Sequence, residues 1–283
     1  MPAGRLGRDL FQEKIIGFSG PFQLLFRQGC KFWFFLTRLP PMVRHFSLWL
    51  PLPLLVLFLA GLGFAGPVNG ADPATIWTGQ PSQNAVALTF DDGPSPIFTK
   101  EILDLLRQYQ AKATFFVLGE KVEKYPRLIK TMLRDGHEVG NHTFDHDRLT
   151  KLSQAVWARE LKELERTKLE MELLGCPCKG HLMRPPYSDF DNRLISYARH
   201  TCCKIVLWSV DSGDWRGLDA QTIAQNVLAR VKNGSIVVLH DSDEDDLKDR
   251  RPTVEALKII LPVLKARGYR LVTVSELVGQ KPH

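Results

Sequence analysis

The chain has 283 residues, 44% of them hydrophobic and 24% charged, an ordinary composition for a soluble globular protein with a substantial core. Its formal charge of +6 does not argue for a nucleic-acid partner, because the excess is local. Residues 1–71 carry seven Lys/Arg against two Asp/Glu, while residues 72–283 carry thirty against twenty-nine.

Residues 1–45 are a basic N-terminal segment. Phe46 to Gly66 holds no charged residue and is about long enough to span a bilayer. Arg38, Arg44 and His45 precede it, so that side is expected to stay cytoplasmic and the remainder to be exported. Met42-Val43-Arg44-His45 before Phe46-Ser47-Leu48-Trp49-Leu50 reads as the opening of a signal peptide, with cleavage at Gly63–Ala65 or, more weakly, Ala71. Met42 is then the expected start, residues 1–41 being an over-extended frame. The alternative keeps 46–66 as an uncleaved membrane anchor. Either reading places the globular part in the periplasm, the cell envelope or the medium.

Residues 67–84 are rich in turn formers and read as a linker to a domain over 85–283. Within it, short apolar runs predict strands at Ala85–Phe90, Ala113–Leu118, Glu138–Gly140, His181–Arg184, Lys204–Val210, Ser235–Leu239 and Tyr269–Val274. Runs without alternation suit strands buried on both faces of a parallel sheet. Helices are expected between them. Ile97–Tyr109 sets Ile97, Ile102, Leu105, Leu106 and Tyr109 near one stripe, and Gln154–Leu174 sets Leu161, Leu164 and Leu169 among charges. Thr222–Val231 and Thr253–Arg267 repeat the pattern, and Gly268 suits a C-cap. The fold class is therefore α/β, a distorted (β/α) barrel of about seven parallel strands, TIM-like, with an open doubly wound sheet as the alternative. Cys176, Cys178, Cys202 and Cys203 are expected to be structural, with one disulfide between the two pairs; their spacing does not suit zinc.

Five strand ends carry reactive side chains. Asp91 and Asp92 are adjacent, and two such carboxylates ionise together only beside a cation. His142 and His146 are spaced so that one helical turn aims both at a point. One Asp and two His form a three-ligand set with positions left open, as a catalytic metal site needs, and the other Asp is left as a general base. Either Asp can take either part on this reading. Arg184 suits a clamp on the base carboxylate. Pro185-Pro186 fixes the direction of the Tyr187 N–H, which suits an oxyanion donor. Asp214 suits the orientation of a histidine beside the aromatic wall of Trp215, and His240, closing an apolar strand, suits a general acid. Each residue also has a plainer reading, as a turn former, a capped loop or a satisfied core residue. An iron oxygenase shares the ligand set but leaves Arg184, Asp214 and His240 without a task.

Thr89-Phe90-Asp91-Asp92-Gly93-Pro94, His142-Thr143-x-x-His146, Arg184-x-Pro186-Tyr187, Asp214-Trp215 and the apolar run ending in His240 together resemble the polysaccharide deacetylase family, the NodB-like enzymes of carbohydrate esterase family 4. The resemblance implies that Asp91 is the base and that Asp92, His142 and His146 are metal ligands. It implies that Arg184 tethers Asp91, that Tyr187, held by Pro186, supplies the oxyanion N–H, and that Asp214 tunes the acid His240. Trp215 and Val238 would line the acetyl pocket, Val238 standing where a leucine is usual. Zinc is the implied metal, with cobalt or nickel as substitutes. The implied reaction is hydrolysis of N-acetyl groups on N-acetylglucosamine-type residues of a wall or extracellular polysaccharide. The alternatives are an O-acetyl esterase of acetylated xylan in the same fold and a non-catalytic carbohydrate-binding protein. A monomer with a polysaccharide partner is expected, and a membrane partner only if the N-terminal segment is uncleaved. The acidic run Asp241–Asp246 reads as a solvated loop.

Overall fold

The computed structural model describes residues 72–176 and 181–279. The expectations for residues 1–71, and for Cys178, lie outside the described residues. Among the described residues no helix is long and apolar enough to cross a membrane.

The strands are β1 (Thr75–Ile76), β2 (Ala85–Gly93), β3 (Ala113–Val117), β4 (Glu138–Asn141), β5 (Leu182–Met183), β6 (Lys204–Val206), β7 (Val210–Asp211), β8 (Ile236–His240) and β9 (Arg270–Leu271). They form a nine-stranded sheet in the order β1-β6-β5-β4-β3-β2-β8-β7, with β9 beside the start of β2. Every pairing is parallel. Helices α1 (Phe98–Gln108), α2 (Gly119–Lys124), α3 (Pro126–Arg134), α4 (Gln154–Leu173), α5 (Asn192–Thr201), α6 (Ala220–Leu228), α7 (Arg251–Ala266) and α8 (Val274–Leu277) fill the connections. The sheet curls into a distorted, incompletely closed (β/α) barrel.

Alternation along the strands separates two apolar layers. Val86, Leu88 and Phe90 of β2, with Val237 and Leu239 of β8, pack under the helices against Ile102, Leu106, Leu257 and Leu261. Ala85 and Ala87, with Phe116, Leu182, Val206 and Ile236, fill the concave interior. Each large side chain so buried stabilises the fold by about 1.5–3 kcal/mol. Continued toward the strand ends, the inward positions become Thr89 and Asp91 on β2, Val238 and His240 on β8, and Arg184 after β5. The lumen thus changes from hydrocarbon to ionic groups at the C-terminal mouth, where (β/α) barrels carry their reactive side chains.

Several expectations need correction. Thr75–Ile76 is an edge strand paired with Ile205 and Val206, so the sheet already begins within the stretch read as linker. The single run Lys204–Val210 breaks into β6 and β7. The last strand stops at Leu271, because the Thr273 hydroxyl accepts from Glu276 N at 3.2 Å and caps α8. Ile97 precedes α1 and is 56% exposed. On α4 the inward stripe runs through Trp157, Leu164 and Met171, spaced by seven, which leaves Leu169 on the outer face. Helices α2, α3 and α5 were not expected. Cys176, Cys202 and Cys203 are free thiols, so no disulfide joins the described members of the two cysteine pairs.

Candidate active site

Asp91 and Asp92 diverge because the pairing of β2 with β3 slips between Asp91 and Gly93. A bulge inserts one residue and re-aims its side chain; Asp92, with φ of 71°, is that residue. Asp91 stays in the inward row and faces Arg184. Asp92 turns toward the loop after β4, where His142 Nε2 and His146 Nε2 lie 3.2 and 3.3 Å from its Oδ1.

Those two histidines are not on a helix, contrary to what their spacing predicts. Residues 142–148 form a loop, and left-handed backbone at Thr143 (φ 73°) and His146 (φ 66°) brings the rings together. Asn141 Oδ1 accepts from Thr143 N at 2.7 Å, and Thr143 Oγ1 accepts from His146 N at 3.0 Å. Hydrogen bonds to short polar side chains thus do the work of a helical turn.

These residues suit a divalent ion. Asp92 Oδ1 is buried without a hydrogen-bond partner. The Nδ1–H of His142 donates to the Arg184 carbonyl at 2.7 Å, and Nδ1 of His146 meets Glu244 Oε1 at 2.5 Å. With both Nδ1 atoms engaged, each Nε2 keeps its lone pair for a ligand, the usual outer-shell arrangement of metal-binding histidines. Burial raises the Asp92 carboxyl, but positive charge placed at His142 and His146, where a metal ion would sit, more than offsets this and holds it well below the usual range.

Arg184 is wholly buried. It donates to Asp91 Oδ1 at 2.7 Å, to Thr89 Oγ1 at 2.8 Å and to the carbonyls of Val206 and Leu207 at 3.2 and 3.3 Å. Its guanidinium lies 4.2 Å from the Phe116 ring centre. Asp91 and His240 are direct register partners on β2 and β8, so two groups able to exchange protons stand side by side. The Asp214 carboxylate accepts from His240 Nδ1 and N, both at 2.8 Å, and from the Thr253 hydroxyl at 2.9 Å. Burial lowers the His240 imidazole, but the Asp214 carboxylate outweighs it, with help from Asp92 and Asp91, and lifts it to about 9.

Around these groups, Tyr187 follows Pro186 with φ of 59°, and its ring stands edge-on to His146 with centres 4.7 Å apart. Trp215 is half exposed, its indole N–H donating to Asp211 Oδ1 at 3.3 Å. Val238 is buried on the His240 face of β8.

Four further side chains reach the site without having been expected there. Glu244 bridges His146 and the Tyr187 hydroxyl, the latter at 2.8 Å. Arg250 is buried 3.8 Å from Asp92 Oδ2 and donates to the Ser242 carbonyl at 2.6 Å. Lys121, 2% exposed, donates to Ser242 Oγ and Asp246 Oδ1 at 2.8 Å each. The acidic loop is therefore partly neutralised from within rather than freely solvated. Asp241 lies against Gly93, where any Cβ would collide with its carboxylate; burial above all pushes its carboxyl up to about 7. Asp241 alone had a visible cue, an acid directly after His240. Nothing separates Arg250 from Arg251 in a charged run.

A sequence model described as polysaccharide deacetylase matches residues 78–206. A peptidoglycan-N-acetylglucosamine deacetylase of Bacillus cereus is 40% identical over 207 residues, 72% of this chain and 93% of that protein. A chitooligosaccharide deacetylase of Sinorhizobium fredii is 38% identical over 68% of this chain and 89% of that protein. The crystal structure of a peptidoglycan N-acetylglucosamine deacetylase superposes with a TM-score of 0.67 at 36% identity, over 74% of this chain and 94% of that one.

Proposed function

Since the chain belongs to the polysaccharide deacetylase family, we propose that it is a zinc-dependent hydrolase of N-acetyl groups on N-acetylglucosamine-type residues of an exported wall polysaccharide. The observation that carries this reading is the opposed pair at the barrel mouth. Asp91 is clamped by a buried arginine, His240 is held by a buried aspartate, and the Asp92–His142–His146 set lies beside them.

Bound by Asp92, His142 and His146, zinc (or cobalt or nickel) supplies Lewis acidity, acidifying water and polarising the acetyl carbonyl. Asp91, held in place by Arg184, accepts the proton of the attacking water. The Tyr187 N–H donates to the oxygen that gains negative charge as the carbonyl carbon becomes tetrahedral, and loss of one such donor costs about 3 kcal/mol. His240 then passes its Nε2 proton to the departing amine nitrogen as the C–N bond breaks. Acetate and a free amino sugar result. Val238 and Trp215 border the space for the acetyl methyl. Among the relatives, one name specifies peptidoglycan and another chitooligosaccharides, which supports an amide of an amino sugar over an ester.

The test measures acetate released from peptidoglycan, chitin oligomers and acetylated xylan in parallel. Activity on the first or second is expected, lost with chelator and restored by zinc. Release from xylan alone, or release unaffected by chelation, overturns the proposal.

A further inference from the structure

A second set of oxygen donors lies beside the histidine loop, and the chemistry above uses none of it. Asp145 and Asp147 flank His146, and Glu160 approaches them from α4. One carboxylate oxygen of each lies within 4.8 Å of the other two. Carboxylates this close repel one another. Solvent relieves Asp145, which is exposed, and in part Asp147. Glu160 has no such relief. It is only 4% exposed, and its Oε1 is shut away from solvent without a hydrogen-bond partner. Of the nearby cations, Arg148 is engaged with Asp189, 3.4 Å away, and Arg159 acts on Asp145 and Glu160 only through space, with no ion pair to either. A buried carboxyl beside two other acids is costly in its charged form unless it takes up a proton or a cation completes it; burial above all, with the charges of Asp145 and Asp147, pushes the Glu160 carboxyl up to about 7.

We propose that Asp145, Asp147 and Glu160 form a second cation site, separate from Asp92, His142 and His146, that takes a hard divalent ion of the calcium class. Donor chemistry sets the class. Carboxylate oxygens without nitrogen or sulfur suit calcium or magnesium, whereas the imidazole-rich set suits zinc. Calcium fits better than magnesium, because its coordination is flexible and a half-open site leaves room for several waters. The ion ties the loop that presents His146 to α4. It thereby converts three mutually repelling acids into a cross-link.

Calcium chloride titrated into the zinc-loaded protein by calorimetry tests this. One calcium per chain is expected, with Kd of about 10⁻⁴–10⁻³ M, the range of extracellular modules, and with a rise in Tm. Glu160→Gln should abolish both the heat and the Tm rise while one zinc per chain is retained. Without calcium, that variant should melt no lower than wild type, since it relieves repulsion. Asp147→Asn, a second and more exposed change, should weaken calcium at least about tenfold. The proposal is overturned if wild type takes up no calcium at about 10 mM, if both variants bind it as wild type does, or if the three acids take a second zinc in preference to calcium.

Discussion

Two adjacent carboxylates with different duties require the backbone to turn between them, and the bulge at Asp92 makes that turn. Asp91→Asn keeps the shape and a hydrogen bond to Arg184 but cannot accept a proton. Its kcat is expected to fall by about 10²–10⁴-fold, with zinc content by elemental analysis unchanged. For His240 the sign is fixed by Asp214. An imidazole lifted to about 9 is protonated at neutral pH and loses its proton only as pH rises through that value. The alkaline limb of the rate profile should therefore fall near there in wild type. Asp214→Asn removes the principal stabiliser of the charged ring and leaves burial, which acts downward. The limb should move toward ~6.5, the ordinary histidine value, and a profile that stays in place would remove Asp214 from this role. Residues whose chemistry is unusual at a strand end were legible in the sequence. Arg250 and Lys121 were not, because burial of a charge inside a charged run leaves no pattern.

At the scale of elements, the strands β2, β3 and β8 were legible because each is a compact apolar run. Helix α2 was missed because six residues make under two turns, and α5 because its fully buried face offers only Leu194 and Ala198 among polar neighbours. The histidine spacing misled for a different reason: four residues is also the reach of a loop held by Asn141 and Thr143. Close approach of strands explains Gly140 on β4. A Cβ there would lie 2.7 Å from the Phe116 ring and 3.0 Å from the Leu182 carbonyl oxygen. Gly140→Ala must displace Phe116, which supports Arg184. A loss of about 1–3 kcal/mol is expected from the denaturant midpoint, together with lower activity. Unchanged stability and rate would show that the ring gives way freely.

For the whole molecule, the edge strand β1 means that the folded unit reaches back beyond Ala85. Removing it uncovers β6 and takes the buried Ala74 out of its cluster. A chain starting at Ala85 is expected to melt ~5 °C below one starting at Pro67, as read by thermal denaturation; equal Tm values would return residues 75–76 to the status of a linker. Burial of Arg184 reaches further than any truncation. Its charge is wholly enclosed, and Asp91 is its one anionic partner at hydrogen-bond distance among the described residues. Stripping the acid from such a pair strands a cation where no water reaches, at about 3–5 kcal/mol. A lineage that discarded the base would lose cohesion along with turnover, so replacement at either position invites replacement at the other. An inert descendant that kept its shape would be expected to have rewritten both.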